Sequence, residues 1–448
     1  MAIGVVAIAL SILSPPASST LCEPVSMQAT IPTTGYLHGY QMAMNAEGDV
    51  FLATSRSSSL EGWVNFGGLD LVVMKYNASL VKQWEFQYGS AADDAVKGLA
   101  LTAGGELVVA GETQGTLFAP HGDNNDVFIT KLPVAGIAPD TVPGSGSFWV
   151  SQASNNYYDV VGVGGVAVAP NGDLFVAGET RAYPYNDVLV MKFTSSGMAW
   201  RKQFGNASEN EFGQRVALGA GGQIVVSFRT VSRYSPYPNT FGLASFDADG
   251  TLQWSQEVDN NSSNEEKALL VLSGGDILLA GETRGSMPGF TNMGSGDGVM
   301  GPGDAVVMKF SASGTLQWTQ QFGTSELDRA ECLLEDVDGG FFLAGSTWGS
   351  MPGFTNDGGY AVFVMKFDAD GASQWTYQYD ISCYPDIMRL NSDGELVIAG
   401  ASVSGTVCTA RFPNSPCPTA PPQTTSSGAR AVLAWVTCLG LVSMGWGA

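Results

Sequence analysis

Gly274–Gly323 reads GGDILLAGETRGSMPGFTNMGSGDGVMGPGDAVVMKFSASGTLQWTQQFG, and this stretch decides the fold. Asp276–Gly281 and Ala305–Phe310 are rich in Val, Ile and Leu and too short for helices. Leu316–Phe322 alternates apolar and polar residues around Trp318. A fourth run, Ala268–Leu272, precedes them, and Gly, Ser or Asp separates each run from the next. The unit is therefore four short antiparallel strands.

The unit recurs. The strand DILLAGET reappears as DVFLATSR (Asp49–Arg56), ELVVAGET (Glu106–Thr113), DLFVAGET (Asp173–Thr180), QIVVSFRT (Gln223–Thr230), GFFLAGST (Gly340–Thr347) and ELVIAGAS (Glu395–Ser402). With Asp276–Thr283 that makes seven copies. The following strand recurs from DLVVMKY (Asp70–Tyr76) to VCTARF (Val407–Phe412). A third strand carries Trp84, Trp149, Trp200, Trp254, Trp318 or Trp375, one tryptophan fewer than there are units. The seventh unit lacks this strand, and Ser26–Met44 aligns without a gap on Gln83–Leu101, with Met27 at the tryptophan position. The chain start is thus expected to supply the outer strand of the last unit. Pairing the two ends closes a ring and leaves no terminal edge. The fold class is all-β: a single seven-bladed β-propeller of four-stranded blades, ring closed by the N-terminal strand.

These copies resemble the SBBP-type β-propeller repeat, whose pattern is G-D-x-x-x-A-G-x-T, then D-x-x-x-x-K-[FY], then G-x-x-x-W. The resemblance covers Ser26 to Phe412. Phe228 departs from the Gly of the pattern, and Ser245 and Arg411 from its Lys. The resemblance implies a propeller on a secreted or surface protein and no agreed activity.

Composition narrows the partners. The chain has 20 Lys+Arg against 42 Asp+Glu, a net charge of −22, so nucleic acid and anionic lipid are repelled. Cations, basic proteins and neutral sugars remain. Residues 1–20 read as a signal peptide with an apolar run at Ile3–Leu13. Residues 21–412 form the propeller, 413–430 a Pro/Thr/Ser-rich linker, and 431–448 an apolar tail. That tail reads as a GPI signal or a membrane anchor, the only expected membrane contact. Asn77, Asn206, Asn260 and Asn261 head Asn-x-Ser sequons. In a secreted protein disulfides are expected. Alignment places Cys22 and Cys417 on either side of the missing turn, where a bridge would be worth about 5 kcal/mol. Cys383 and Cys408 share blade seven and form a second expected pair, leaving Cys332 a buried thiol.

No catalytic or cofactor constellation is visible, and no metal or cofactor is expected. The two histidines, His38 and His121, are far apart. Repeated Lys75, Lys131, Lys192, Lys309 and Lys366, with Asp70, Asp126, Asp187 and Asp304 five residues earlier, are expected to serve the blades. The same holds for Glu112, Glu179 and Glu282. Asp247–Gly250 and Asp368–Gly371 look like fragments of a calcium loop but sit where turns belong. Long loops in blades one, two, five and six supply the ligand-face candidates Trp63, His121, Phe290, Trp348 and Phe354. The expected function is a non-enzymatic secreted or cell-surface scaffold binding a protein or carbohydrate partner. The alternative is an enzyme on this scaffold: a lyase, a hydrolase, or a quinoprotein-like dehydrogenase, which the G-T-L-Q-W runs resemble.

Overall fold

The computed structural model describes residues 25–30, 38–117, 125–136, 150–153, 158–182, 185–206, 208–231, 239–294, 301–356, 358–381, 383–402 and 406–412. Met1–Cys417 is one compact unit; Pro418–Ala448, a separate unit, lies outside the described residues, as do the leader, Cys22, Cys417 and His121. No helix among the described residues is long and apolar enough to cross a membrane.

Seven four-stranded antiparallel sheets follow one another. Each blade begins on an inner strand: His38–Met44, Asp94–Leu101, Asp159–Val168, Asn210–Leu218, Asn264–Val271, Asp328–Glu335 and Tyr384–Leu390. These seven contact one another in cyclic order, so they line the axis of a closed ring. The second and third strands of the blades are buried almost throughout, as in Val50–Arg56 and Asp70–Tyr76. Both faces of these strands are covered by neighbouring blades, which is why they read as continuous apolar runs rather than alternating ones. Outer strands such as Leu316–Phe322 stay half exposed and alternate.

The last sheet is built as the alignment requires. Val25–Thr30 pairs with Thr406–Phe412 as its outer strand, with Met27 opposite Thr409. Residues from the two chain ends thus share one blade. Without Val25–Thr30, the backbone groups of the Thr406–Phe412 strand would stand unpaired at an open edge.

Glycine sets the spacing inside a blade. A Cβ on Gly281 would lie 2.0 Å from the Glu265 carbonyl oxygen, so the Ala-Gly step lets second and inner strands approach. Blade four keeps the volume by exchange. Where blades two and six pair Gly111 with Phe128 and Gly345 with Phe363, blade four pairs Phe228 with Gly242.

The outer tryptophans of blades one, three and four each donate to the following blade. Trp84 Nε1 donates to the Val134 carbonyl at 3.0 Å, and Trp254 Nε1 to that of Ala312 at 3.1 Å. The rings lie on turn glycines of the following blade, Gly136 beneath Trp84 and Gly314 beneath Trp254, both at positive φ. A side chain on either glycine would meet the indole.

Cys383 and Cys408 form the expected disulfide of blade seven, with Cα atoms 6.5 Å apart, and Cys332 is free and buried. The bridge spans 25 residues, for which loop entropy gives about 3.5 kcal/mol. Replacing both cysteines by serine is expected to lower the unfolding free energy by about 3 kcal/mol in urea melts; an unchanged midpoint would show that the bridge carries no stability. Deleting residues 1–30 is expected to lower Tm by more than about 5 °C and to cause oligomers visible by light scattering, because the last blade loses its outer strand. An identical Tm and a clean monomer would contradict the closure.

Candidate functional site: the channel ring and its loop face

Each inner strand departs from regular pairing at the same level. In blade two Val96 faces Gly111 and Gly98 faces Ala110, which leaves Lys97 as an extra residue. Lys267, Glu331 and Asp386 are the extra residues of blades five, six and seven. Blade four inserts Gln214 and Arg215 opposite Ser227. Blade one inserts Gly39, and blade three Gly162–Gly165. A bulge re-aims the side chain it carries. Here the repeated bulge sets a ring of charged groups around the axis, interrupted by glycines in blades one and three.

Blades four to seven carry the densest part of this ring. Arg215 acts on Glu266, Glu331 and Asp386, which come from three successive blades. Asp386 accepts from the Met42 amide of blade one at 2.7 Å, and burial pushes its carboxyl up to about 6 despite Arg215. Burial likewise raises Glu331, which accepts from Ser346 Oγ at 3.1 Å. Above them stand three tyrosines. Tyr40 donates to the Ala401 carbonyl at 3.1 Å, and the Tyr360 and Tyr384 rings lie 4.2 Å apart. Burial, then the carboxylates of Asp386 and Glu331, hold the Tyr40 hydroxyl well above the usual phenol range.

The glutamates of the AGET copies close the ring laterally. Glu282 accepts from Arg329 Nε at 2.8 Å and from Arg284 Nε at 3.3 Å, and Glu112 pairs with Lys97 at 3.3 Å. Their partners are mostly basic side chains rather than loop amides. Glu179 is pushed up to about 7 by burial, against the pull of Arg229. Among the described residues no group of three or more His, Cys, Asp or Glu converges on a metal-sized space. His38 opens the inner strand of blade one, opposite Ser55.

The other repeated groups serve the blades. Lys75, Lys192 and Lys309 pair with Asp49, Asp173 and Asp276 at 2.8, 2.9 and 3.0 Å, each within one blade. Asp247 accepts from the Asp249 and Thr251 amides and from Gln253, and Asp368 does the same for its own turn. These oxygens are spent on the turn.

The loops between second and third strands open on the same end of the ring as the loops joining successive blades. Three of them share one conformation. Leu60, Met287 and Met351 each donate a backbone amide to an outer-strand glutamine: Gln87, Gln321 and Gln378, at 2.7, 2.8 and 2.7 Å. Three residues on, Trp63, Phe290 and Phe354 occupy equivalent places and are half-buried against the blade cores. Trp63 meets Phe86 edge-on at 5.3 Å. Trp348 is instead 51% exposed and stands edge-on to Tyr360 at 6.1 Å. Phe66, absent from the sequence candidates, is 50% exposed on the blade-one loop beside Tyr88. Its signal was one loop residue beyond the shared S-x-x-G-[FW]-x-N pattern.

Of the sequons, Asn77 and Asn206 lie in turns, with their side-chain oxygens holding the turn amides. Asn260 already donates its amide to Thr283 Oγ1 at 2.8 Å, and Asn261 is exposed at φ 54°.

Among solved structures, the chain is similar to a streptogramin B lyase, with a TM-score of 0.50 and 11% identity over 87% of this chain and 98% of that one. It is similar also to the Pan2 WD40 domain of Neurospora crassa, with a TM-score of 0.51 and 9% identity over 87% and 94%. The chain is a seven-bladed β-propeller. At these identities the likeness to an enzyme and to a WD40 domain shows the fold alone. No protein-family model and no curated protein matches the chain.

Glu266 gives the site a pH test. It is buried between blades four and five, neither oxygen has a hydrogen-bond partner, and burial pushes it up to about 7. A carboxyl raised on folding favours the fold below its unfolded value near 4.5, and that contribution is lost as pH rises through about 7. E266Q is therefore expected to raise Tm by a few degrees at pH 8 and to change it little at pH 4.5. An equal shift at both pH values would contradict this.

Proposed function

We propose that the protein is a secreted or cell-surface propeller of the SBBP-type repeat family, tethered by its C-terminal tail, that binds a protein or carbohydrate partner without transforming it. One observation carries this reading: the polar groups that recur in the blades are largely engaged within them, while exposed aromatics gather on one end. Trp348 and Phe66 stand about half exposed on the loops of blades six and one. Between them the tyrosines Tyr384 and Tyr40 line the channel mouth of blades seven and one. Aromatic rings among Asn, Ser and Gly suit the faces of sugars and the apolar anchors of proteins. The net charge of −22 favours neutral or basic partners.

A second reading has its own observation. Glu331 and Asp386 are carboxyls raised by burial, Asp386 to about 6, with Tyr40 and Tyr360 beside them, and a raised carboxyl suits general acid–base work. This favours a lyase or hydrolase working in the channel mouth.

Screening the protein on glycan and secreted-protein arrays, with W348A and F66A alongside, tests the binding reading. Each substitution is expected to weaken the wild-type hits at least tenfold with Tm unchanged. Hits that survive both substitutions would refute this face as the binding surface. Loss of turnover on an array sugar in D386N, with binding kept, would select the enzyme.

A further inference from the structure

Seven interfaces separate the blades, and at each the third strand of one blade opens beside the inner strand of the next. At four of them both positions are acidic: Asp70 with Asp94, Asp126 with Asp159, Asp187 with Glu211, and Asp304 with Asp328. At the other three neither is: Thr240 with Asn264, Ala361 with Cys383, and Thr406 with Leu37, the last outside the described residues. The acids occur together or not at all. The third-strand acids also serve their own blades, where each accepts from an outer-strand glutamine: Gln87, Gln152, Gln203 or Gln321. Like charges held side by side in a buried place repel, and burial raises these carboxyls, which favours a shared proton or a shared cation between them.

One interface shows a positive group in place. Arg201 Nη2 lies 2.9 Å from Asp159 Oδ1, and Arg201 Nε 3.2 Å from Asp159 Oδ2. Asp70 Oδ1, Glu211 Oε2 and Asp328 Oδ1 are buried and without a hydrogen-bond partner, in residues that are 0%, 3% and 0% exposed.

A glycine directly after the outer strand of blades one, three and five leaves the space. The point where a Cβ would sit on Gly205 is 2.5 Å from Asp187 Oδ1 and 3.0 Å from the unpartnered Glu211 Oε2. On Gly323 it is 2.7 Å from both Asp304 Oδ1 and Asp328 Oδ2, and on Gly89 it is 2.1 Å from the unpartnered Asp70 Oδ1. At Gly205 and Gly323 a side chain would fill the space between two carboxyls, whereas at Gly89 it would meet Asp70 alone.

We propose that these three carboxyl pairs are binding sites for a hard divalent cation of the calcium type, one between blades one and two, one between three and four, and one between five and six. Two carboxylates are a small ligand set, which waters and loop carbonyls would complete. Such sites hold calcium at the weak end of the range, on the order of 10⁻⁴–10⁻³ M, as extracellular modules do. Each ion would join two blades and stabilise the ring by binding only the folded state.

The test uses the full chain, stripped with EDTA at pH 7.5 and dialysed against calcium chloride at millimolar concentration. Three bound calcium ions per chain by atomic absorption are expected, with a Tm at least about 3 °C above that in EDTA. D187N/E211Q and D304N/D328N should each remove one ion and part of the Tm rise. D247N/D249N, which changes an acidic turn within one blade whose Asp247 oxygens already accept from Asp249, Thr251 and Gln253, should remove none. Less than one ion bound per wild-type chain, with the same Tm in calcium and EDTA, overturns the proposal. So does calcium that survives both pair variants or disappears in D247N/D249N. The wild-type stoichiometry decides the matter even if a pair variant fails to fold.

Discussion

An antiparallel sheet leaves unpaired backbone groups along each edge, and a chain of seven such sheets must dispose of the two at its ends. The pairing of Val25–Thr30 with Thr406–Phe412 does this for the last blade. The other features of the ring presuppose it. The inner strands can circle an axis only if blade seven meets blade one, as it does where the Met42 amide donates to Asp386 and Tyr40 to the Ala401 carbonyl. The tryptophan latches of blades one, three and four all reach forward to the following blade. The protein thus uses its chain termini for the contact that a linear repeat array leaves to capping units.

Within the closed ring, function depends on small departures from repetition. A regular inner strand would present its side chains to the neighbouring blades on both sides. One inserted residue per strand turns Lys97, Arg215, Lys267, Glu331 and Asp386 toward the axis instead. These charges come from five blades, and those of blades four to seven act on one another: Arg215 and Lys267 on Glu331, and Arg215 and Glu331 on Asp386. Arg215 lowers the cost of ionising Asp386 and Glu331, while burial raises it by more. The carboxyl pairs between blades have a different balance: one has an arginine, and two face a glycine space that both members reach.

Much of this was legible in the sequence. Strand length, turn residues and the count of seven followed from the AGET, MKF and tryptophan copies, and the shortage of one tryptophan strand located the closure at Met27. The Cys383–Cys408 pair was also readable, because both residues fall in one blade. The bulges were not, since an extra residue such as Lys97 in DAVKGLAL leaves the apolar pattern intact on either side. Which loop aromatics are buried was equally hidden. GSMPGFTN reads as an exposed loop, but a glutamine on the outer strand, such as Gln321, ties its backbone down and turns Phe290 inward. The acidic pairs were visible as recurring residues, but only the sheet register shows that Asp70 and Asp94 belong to one interface rather than to two blades.

The closure of the ring is the claim on which the rest depends, and native-state hydrogen exchange read by mass spectrometry tests it most directly. The closed ring predicts that amides of Val25–Thr30 and of Thr406–Phe412 exchange as slowly as those of the blade-one and blade-six strands, opening only with global unfolding. Rapid exchange confined to Val25–Thr30 and its partner strand, with the other blades protected, would contradict it.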